Sequence, residues 1–252
     1  MNSFLEINNI QMIYQTPSEE TLAVEDVSFS VDKGQFVSIV GPSGCGKSTL
    51  LSAIAGLTKQ NKGSITLCGK DVCLCRQSIG YMFQTDNLLP WRTIWRNVLL
   101  GLEVQKKLTV ENTAYAEDLL KKYGLWQFRD SYPNRLSGGM RQRVALIRTL
   151  ALKPELLLLD EAFSALDYQT RVNVSGDVYD ILRRENKTLV MVTHDIPEAV
   201  TMSDRVVVLS RRPARVQKIV DTDFGTAGRT PVSVRSDVRF QHYFNEIWKE
   251  LS

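Results

Sequence analysis

Eight residues constrain this chain more than any others: Gly41-Pro42-Ser43-Gly44-Cys45-Gly46-Lys47-Ser48 match the pattern G-x-x-x-x-G-K-[ST]. Glycines let a backbone curl until successive N–H groups converge on one point, where phosphate oxygens can sit. A helix beginning beside Lys47 adds the partial positive charge of its N-terminus. Such a loop needs a strand before it and a helix after it. Both are readable: Phe36–Val40 is an apolar, strand-length run, and a helical stretch covers about Lys47–Ile54, stopped by Gly56. The pattern assigns Lys47 to the β- and γ-phosphates and the Ser48 hydroxyl to Mg²⁺. Gly41, Pro42, Ser43, Gly44, Cys45, Gly46 and Thr49 make up the rest of the cradle.

A metal held beside phosphates needs an acidic partner, and the run 156–159, four leucines followed by Asp160 and Glu161, supplies one. Alone, two acids ending an apolar strand are more often just its solvated end. In a chain that also carries a phosphate loop, they stand at the strand edge where ligands bind. Asp160 is then the expected Mg²⁺ holder, and Glu161 the group that orients and deprotonates an attacking water.

The surrounding pattern is α/β. In Val27-Ser28-Phe29-Ser30-Val31 apolar and small polar residues alternate, the period of a half-buried strand. Strand candidates follow at 64–67 and 79–83, and continuous apolar runs at 156–159, Thr188–Val192 and Arg205–Leu209 suit strands buried on both faces. Met140, Val144, Ile147 and Ala151 recur at helical spacing, and Ile196–Met202 is a short helix candidate. Between 84 and 135 the β-branched runs vanish and helices are expected, including 94–102 and 111–123. In the tail, 215–220 is a strand candidate, and Phe240, Phe244, Ile247 and Leu251 share one helix face suited to core packing.

Composition narrows the setting. At 252 residues one large domain is expected, and 43% hydrophobic with 23% charged residues is ordinary for a soluble globular chain. The net charge of +3 is small and its signs are mixed along the chain, which gives no reason to expect nucleic acid as a partner. The start, MNSFLEINNIQ, has neither a basic leader nor an apolar core, so no signal peptide is expected. No apolar run approaches the ~18 residues of a spanning helix, so any membrane role has to come through a partner. Cys45, Cys68, Cys73 and Cys75 fit none of the common zinc spacings and are expected to be reduced and structural.

A phosphate loop and an acidic strand leave kinases, GTPases and many ATPases open. Leu136-Ser137-Gly138-Gly139-Met140 narrows them, because it resembles the signature of ABC ATPases. Further elements resemble that family in the expected order: Gln84 its Q-loop, Ser164-Ala165-Leu166-Asp167 its D-loop, and His194 in Val192-Thr193-His194-Asp195 its switch histidine. Tyr14 stands where the family places an aromatic that stacks on adenine. The likeness runs from about residue 4 to 210. One departure is Ala162, where the family commonly has proline after the catalytic glutamate.

The resemblance implies an α/β fold: a P-loop ATPase core with a mostly parallel sheet, an antiparallel β subdomain and an inserted helical lobe. It implies one ATPase domain, with 1–83 and 136–210 as core, 84–135 as helical lobe and 211–252 as a strand and helix extension. ATP and Mg²⁺ are the implied cofactors, with Gln84 near the metal and His194 on the γ-phosphate. Ser137, Gly138, Gly139 and Asp167 would complete the site of a second chain, which implies a homodimer or paralogue pair with ATP at its interface.

Leu88-Leu89-Pro90-Trp91, with Trp95 nearby, is apolar for a loop and suggests a partner surface; the plainer alternative is that both tryptophans pack the lobe. With the stretch Asn97 to Glu103 it resembles importers of the nitrate, sulfonate and taurine group. That implies transmembrane permease subunits, a separate solute-binding protein and a peripheral place on the cytoplasmic face of the cell membrane. The competing reading is a soluble ABC ATPase in cofactor assembly.

Overall fold

The structure is a computed structural model describing residues 3–15, 20–225 and 229–252. Its centre is a sheet of β3 (Phe36–Val40), β6 (Ile79–Met82), β7 (Leu156–Asp160), β8 (Thr188–Val192), β9 (Arg205–Leu209) and β10 (Val216–Asp221). The spatial order is β10-β9-β3-β8-β7-β6, all parallel except β10, which pairs antiparallel with β9. β3 and β8 are buried along their whole length, which is why their sequences are continuous rather than alternating. β7 shows the two faces: Leu157 and Leu159 join the cluster under the helices of the lobe, while Leu156 and Leu158 join the cluster under the second sheet.

That second sheet is antiparallel: β1 (Leu5–Gln15), β2 (Glu20–Val31), β4 (Lys62–Leu67) and β5 (Lys70–Asp71), in the order β2-β1-β4-β5. β2 starts well before the alternating segment that announced it, because its first half does not alternate: the consecutive Ala23 and Val24 are both buried, between exposed Glu20 and Asp26. α1 (Lys47–Ile54) lies between the sheets, with Leu50, Leu51, Ala53 and Ile54 buried in the shared cluster.

Residues 84–135 carry α2 (Ile94–Val104) and α3 (Val110–Lys122). Thr93 and Thr109 cap them, each side chain accepting a backbone N–H one turn in. The Thr109 cap starts α3 one residue earlier than its apolar spacing suggested, and α2 runs on to Val104 until Lys106 takes a left-handed φ of 55°. Trp95 packs edge-on against Trp126, with ring centroids 5.6 Å apart. α4 (Gly138–Leu150), α5 (Tyr168–Arg184) and α6 (Ile196–Met202) cover the core strands. The tail adds β10, α7 (Pro231–Arg235) and α8 (Val238–Leu251). Ile247 is fully buried against Val206, Val208 and Ile196, while Phe240, Phe244 and Leu251 are only partly covered. Leu251 and Ser252 line a surface hollow together with Pro42 and Ser210. Among the described residues no helix is long and apolar enough to cross a membrane.

Candidate active site

Because β3, β6, β7 and β8 are parallel, the residues that follow each of them emerge at one edge of the sheet. Gly41 follows β3, Gln84 follows β6 by two residues, Glu161 follows β7, and His194 follows β8 by two. The phosphate loop bends at Gly46, with a φ of 122° that side chains do not tolerate; a Cβ there would also stand 3.0 Å from the Ala23 carbonyl. Lys47 is nearly buried, and its Nζ donates to the Gly41 and Pro42 carbonyls, 2.9 Å each. α1 has no capping side chain at Gly46, which leaves its first-turn N–H groups to an anion. Cys45 is buried inside the loop, and Ser43 is exposed. Tyr14 is half-exposed on β1 and donates its hydroxyl proton to Thr49 Oγ1 at 3.1 Å, which sets its ring beside the loop.

Ser48 Oγ donates to Asp160 Oδ1 at 2.9 Å. The other carboxylate oxygen, Oδ2, accepts from Tyr81 OH, also at 2.9 Å. Burial, and then the charge and hydrogen bond of Asp160, push the Tyr81 phenol well above its ordinary value. Glu161 is strained: its φ of 46° is left-handed, and its amide donates to the Val192 carbonyl at 2.9 Å. Ser164 closes the turn, its amide and hydroxyl both donating to the Glu161 carbonyl at 3.0 and 2.9 Å. Ala162 is buried beneath it. The turn thus gets its stiffness from Ser164 and Val192, in a chain lacking the family's proline. His194 Nδ1 stands 3.2 Å from Glu161 Oε2. Gln84 Nε2 donates to Ser164 Oγ at 3.0 Å, bringing the end of β6 to the same turn.

Ser137, Gly138, Gly139 and Asp167 lie elsewhere. Ser137 caps α4 by accepting from the Met140 amide. Gly139 lets α4 approach α5, since a Cβ there would meet Val174 Cγ2 at 2.7 Å. Asp167 caps α5, and the Thr170 hydroxyl and amide hold its carboxyl below the usual carboxylate range. Among the described residues no hydrogen bond joins this group to residues 41–49.

Sequence reasoning missed several contributors. Tyr81 was read only as a strand residue, and Ser164 only as part of the D-loop. Arg212 Nη2 donates to the Gly44 carbonyl at 2.8 Å. Beside it, Ala214 is stitched into the second sheet, donating to the Ala23 carbonyl and accepting from the Glu25 amide. No local pattern marks Tyr81, Arg212 or Ala214, because their partners are remote in the chain.

A phosphate loop, an acid-ended strand and a histidine on neighbouring parallel strands define a P-loop nucleotide hydrolase with an appended antiparallel sheet. The family is narrower: the chain belongs to the ABC transporter family, which matches residues 24–164. It is 46% identical over 99% of its length to an uncharacterised ABC transporter ATP-binding protein of Bacillus subtilis, YtlC, covering 96% of that protein. It is 41% identical over 89% of its length to the nitrate import ATP-binding protein NrtC of Synechococcus elongatus, covering 35% of it. Over 86% of its length it is 36% identical to the aliphatic sulfonates import ATP-binding protein SsuB of Bacillus cereus, covering 85% of it. The solved dimer of the ATP-binding cassette MJ0796 bound to ADP and Pi shares the fold at a TM-score of 0.74, with 31% identity over 88% of this chain and all of that one. The chain is an ABC ATPase and the ATP-binding subunit of its system.

Proposed function

We propose that this chain drives a membrane importer, coupling ATP-driven closure of a dimer to passage of a small solute of the nitrate, sulfonate or taurine kind. The observation that carries the dimer is the separation just described. One chain holds two helix starts suited to anions, at Gly46 and at Ser137, and one acid pair serves only the first. Two chains set head to tail bring the Ser137 start and Asp167 of each to the phosphate loop of the other.

The residues then divide the work. Tyr14 stacks on adenine. The loop from Gly41 to Thr49 cradles the phosphates, with Lys47 released from its own carbonyls to the β- and γ-oxygens. Ser48 and Asp160 already place two hard oxygens together, a donor set that fits Mg²⁺. When bound, the ion neutralises charge on the β- and γ-phosphates. Gln84, its Nε2 held by Ser164, has Oε1 left for the metal or the water. Glu161 takes the proton as the water oxygen attacks the γ-phosphorus and the bond to the β,γ-bridging oxygen breaks, with ADP as the leaving group, and His194 hydrogen-bonds the γ-phosphate. We also propose one domain with a core of 1–83 and 136–210, a helical lobe of 84–135 and an extension of 211–252. The lobe's exposed Trp91 supports a docked transmembrane permease, with the chain peripheral on the cytoplasmic face and a separate solute-binding protein outside.

Glu161→Gln tests this reading. The variant is expected to bind ATP as the parent does, to hydrolyse it about 100-fold or more slowly, and to elute as an ATP-dependent dimer. Tagged and incubated with ATP and Mg²⁺ in detergent-solubilised membranes of its host, it should recover a polytopic membrane protein. Soluble partners alone would favour the cofactor-assembly reading, and hydrolysis at the parent rate would remove Glu161 as the base.

A further inference from the structure

We propose that Arg171 is a positioning residue: it holds the turn carrying His194 against segment 164–167, so that His194 stays in place at Glu161. The inference rests on Glu161 and His194 acting as proposed above.

Arg171 lies in the first turn of α5, and its side chain is only 22% exposed. Nη1 stands 3.1 Å from Asp195 Oδ2. Nη2 donates to the Leu166 carbonyl at 3.0 Å and to the Ser164 carbonyl at 3.3 Å. Asp195 follows His194 directly and is fixed at two further points. Its amide donates to Thr193 Oγ1 at 3.0 Å, and its Oδ1 accepts the Glu198 amide at 2.9 Å as the cap of α6.

These contacts close a ring. Glu161 meets His194, His194 is bonded through the chain to Asp195, Asp195 pairs with Arg171, Arg171 grips the Ser164 carbonyl, and Ser164 returns to the Glu161 carbonyl. Gln84 joins the ring at Ser164 Oγ. The histidine turn thus reaches segment 164–167 by two routes, through Glu161 to Ser164 and through Asp195 to Arg171, and Arg171 is the link that also holds Leu166. The start of α4 leans on the same segment, since the Cβ position of Gly138 is 3.2 Å from Leu166 Cδ2. A planar guanidinium spans two carbonyls and a carboxylate at once, which a lysine ammonium on its flexible stem does not. A shift of about 1 Å in a positioned group can cost about 100-fold in rate, so the ring is stiff enough to matter and small enough to be moved.

A purely structural role would lower melting temperature and leave the surviving molecules catalytically intact. A positioning role lowers kcat while ATP binding holds. Arg171→Ala is expected to reduce kcat about 10-fold, with KM for ATP within about two-fold of the parent. Asp195→Asn keeps the helix cap but removes the charge, and is expected to fall in the same direction. The double variant should be no slower than the slower single, as for two members of one link. A parent-like kcat in Arg171→Ala, additive losses in the double variant, or a loss carried wholly by KM would overturn the proposal. If the alanine variant does not fold, Arg171→Lys replaces it: a reduced kcat supports the proposal and a parent-like kcat overturns it. Glu161→Gln keeps the two readings apart. If that variant is active, the site assignment fails; if it is inactive and Arg171→Ala hydrolyses like the parent, only the role of Arg171 fails.

Discussion

Tyr81 enters the chemistry without belonging to any motif. Its hydroxyl reaches Asp160 from the neighbouring strand, 79 residues away in the chain, and occupies the carboxylate oxygen that Ser48 does not. With its phenol pushed up by burial and by Asp160, it stays a donor throughout the working pH range. Tyr81→Phe removes that donor and frees the carboxylate to turn. The Mg²⁺ concentration for half-maximal ATPase should rise about 10-fold, the scale of losing an outer-shell partner of a metal ligand; titrating Mg²⁺ at saturating ATP checks it. At this scale the sequence reveals whatever depends on residue type at fixed spacing. The phosphate loop, Asp160 with Glu161, and the cap at Ser137 are all of that kind. Tyr81, Arg171 and Arg212 act through partners that only the folded sheet brings near, so a tyrosine or arginine there looks like any other.

α6 shows the same contrast one level up. Its bounds, Ile196–Met202, are readable because Asp195 caps it, Pro197 suits its first turn and Ser203 ends it. Its burden is not readable: Glu198 is only 6% exposed, and burial pushes its carboxyl up to about 7, with Asp195 adding to the rise and Thr193, Arg171 and Arg235 opposing it. The folded chain therefore binds that proton more tightly than the unfolded chain. The stability it brings is full below the ordinary carboxylate range and is lost as pH rises through about 7. By pH 8 the loss is about 1–3 kcal/mol. Glu198→Gln stays neutral, so it should raise the melting temperature at pH 8 more than at pH 5 and flatten the dependence between; thermal melts across that range decide it. The strands divide in a like way. β3 and β8, buried on both faces, are plain as continuous runs. β1 and β2 are blurred by register shifts and by Asn9 and Asp26 at positive φ, which break their alternation.

For the molecule as a whole, the proposed docking surface is the loop at 88–91. Asn97 is fully buried and folds this loop: its Nδ2 donates to the Leu89, Arg92 and Thr93 carbonyls, and its Oδ1 accepts the Leu89 amide at 2.7 Å. Trp95 turns inward to Trp126, while Trp91 is left 71% exposed. The two tryptophans thus have different surroundings in the fold, although they stand four residues apart in the chain. Trp91→Ala is expected to keep the ATPase rate of the isolated chain within about two-fold, since surface changes away from a site are small. It should also abolish recovery of the membrane protein in the pull-down, the behaviour of an exposed aromatic anchor. Retention of that protein would put the docking surface elsewhere. Leu251 and Ser252 share their hollow with Pro42 of the phosphate loop. A polypeptide attached at Ser252, whether a purification handle or a fluorescent reporter, therefore emerges beside Pro42 of the phosphate loop. One joined directly to Ser3 starts instead at a hollow on the antiparallel sheet, lined also by Glu6 and Ser30. For this chain the choice of fusion end is itself a biochemical variable.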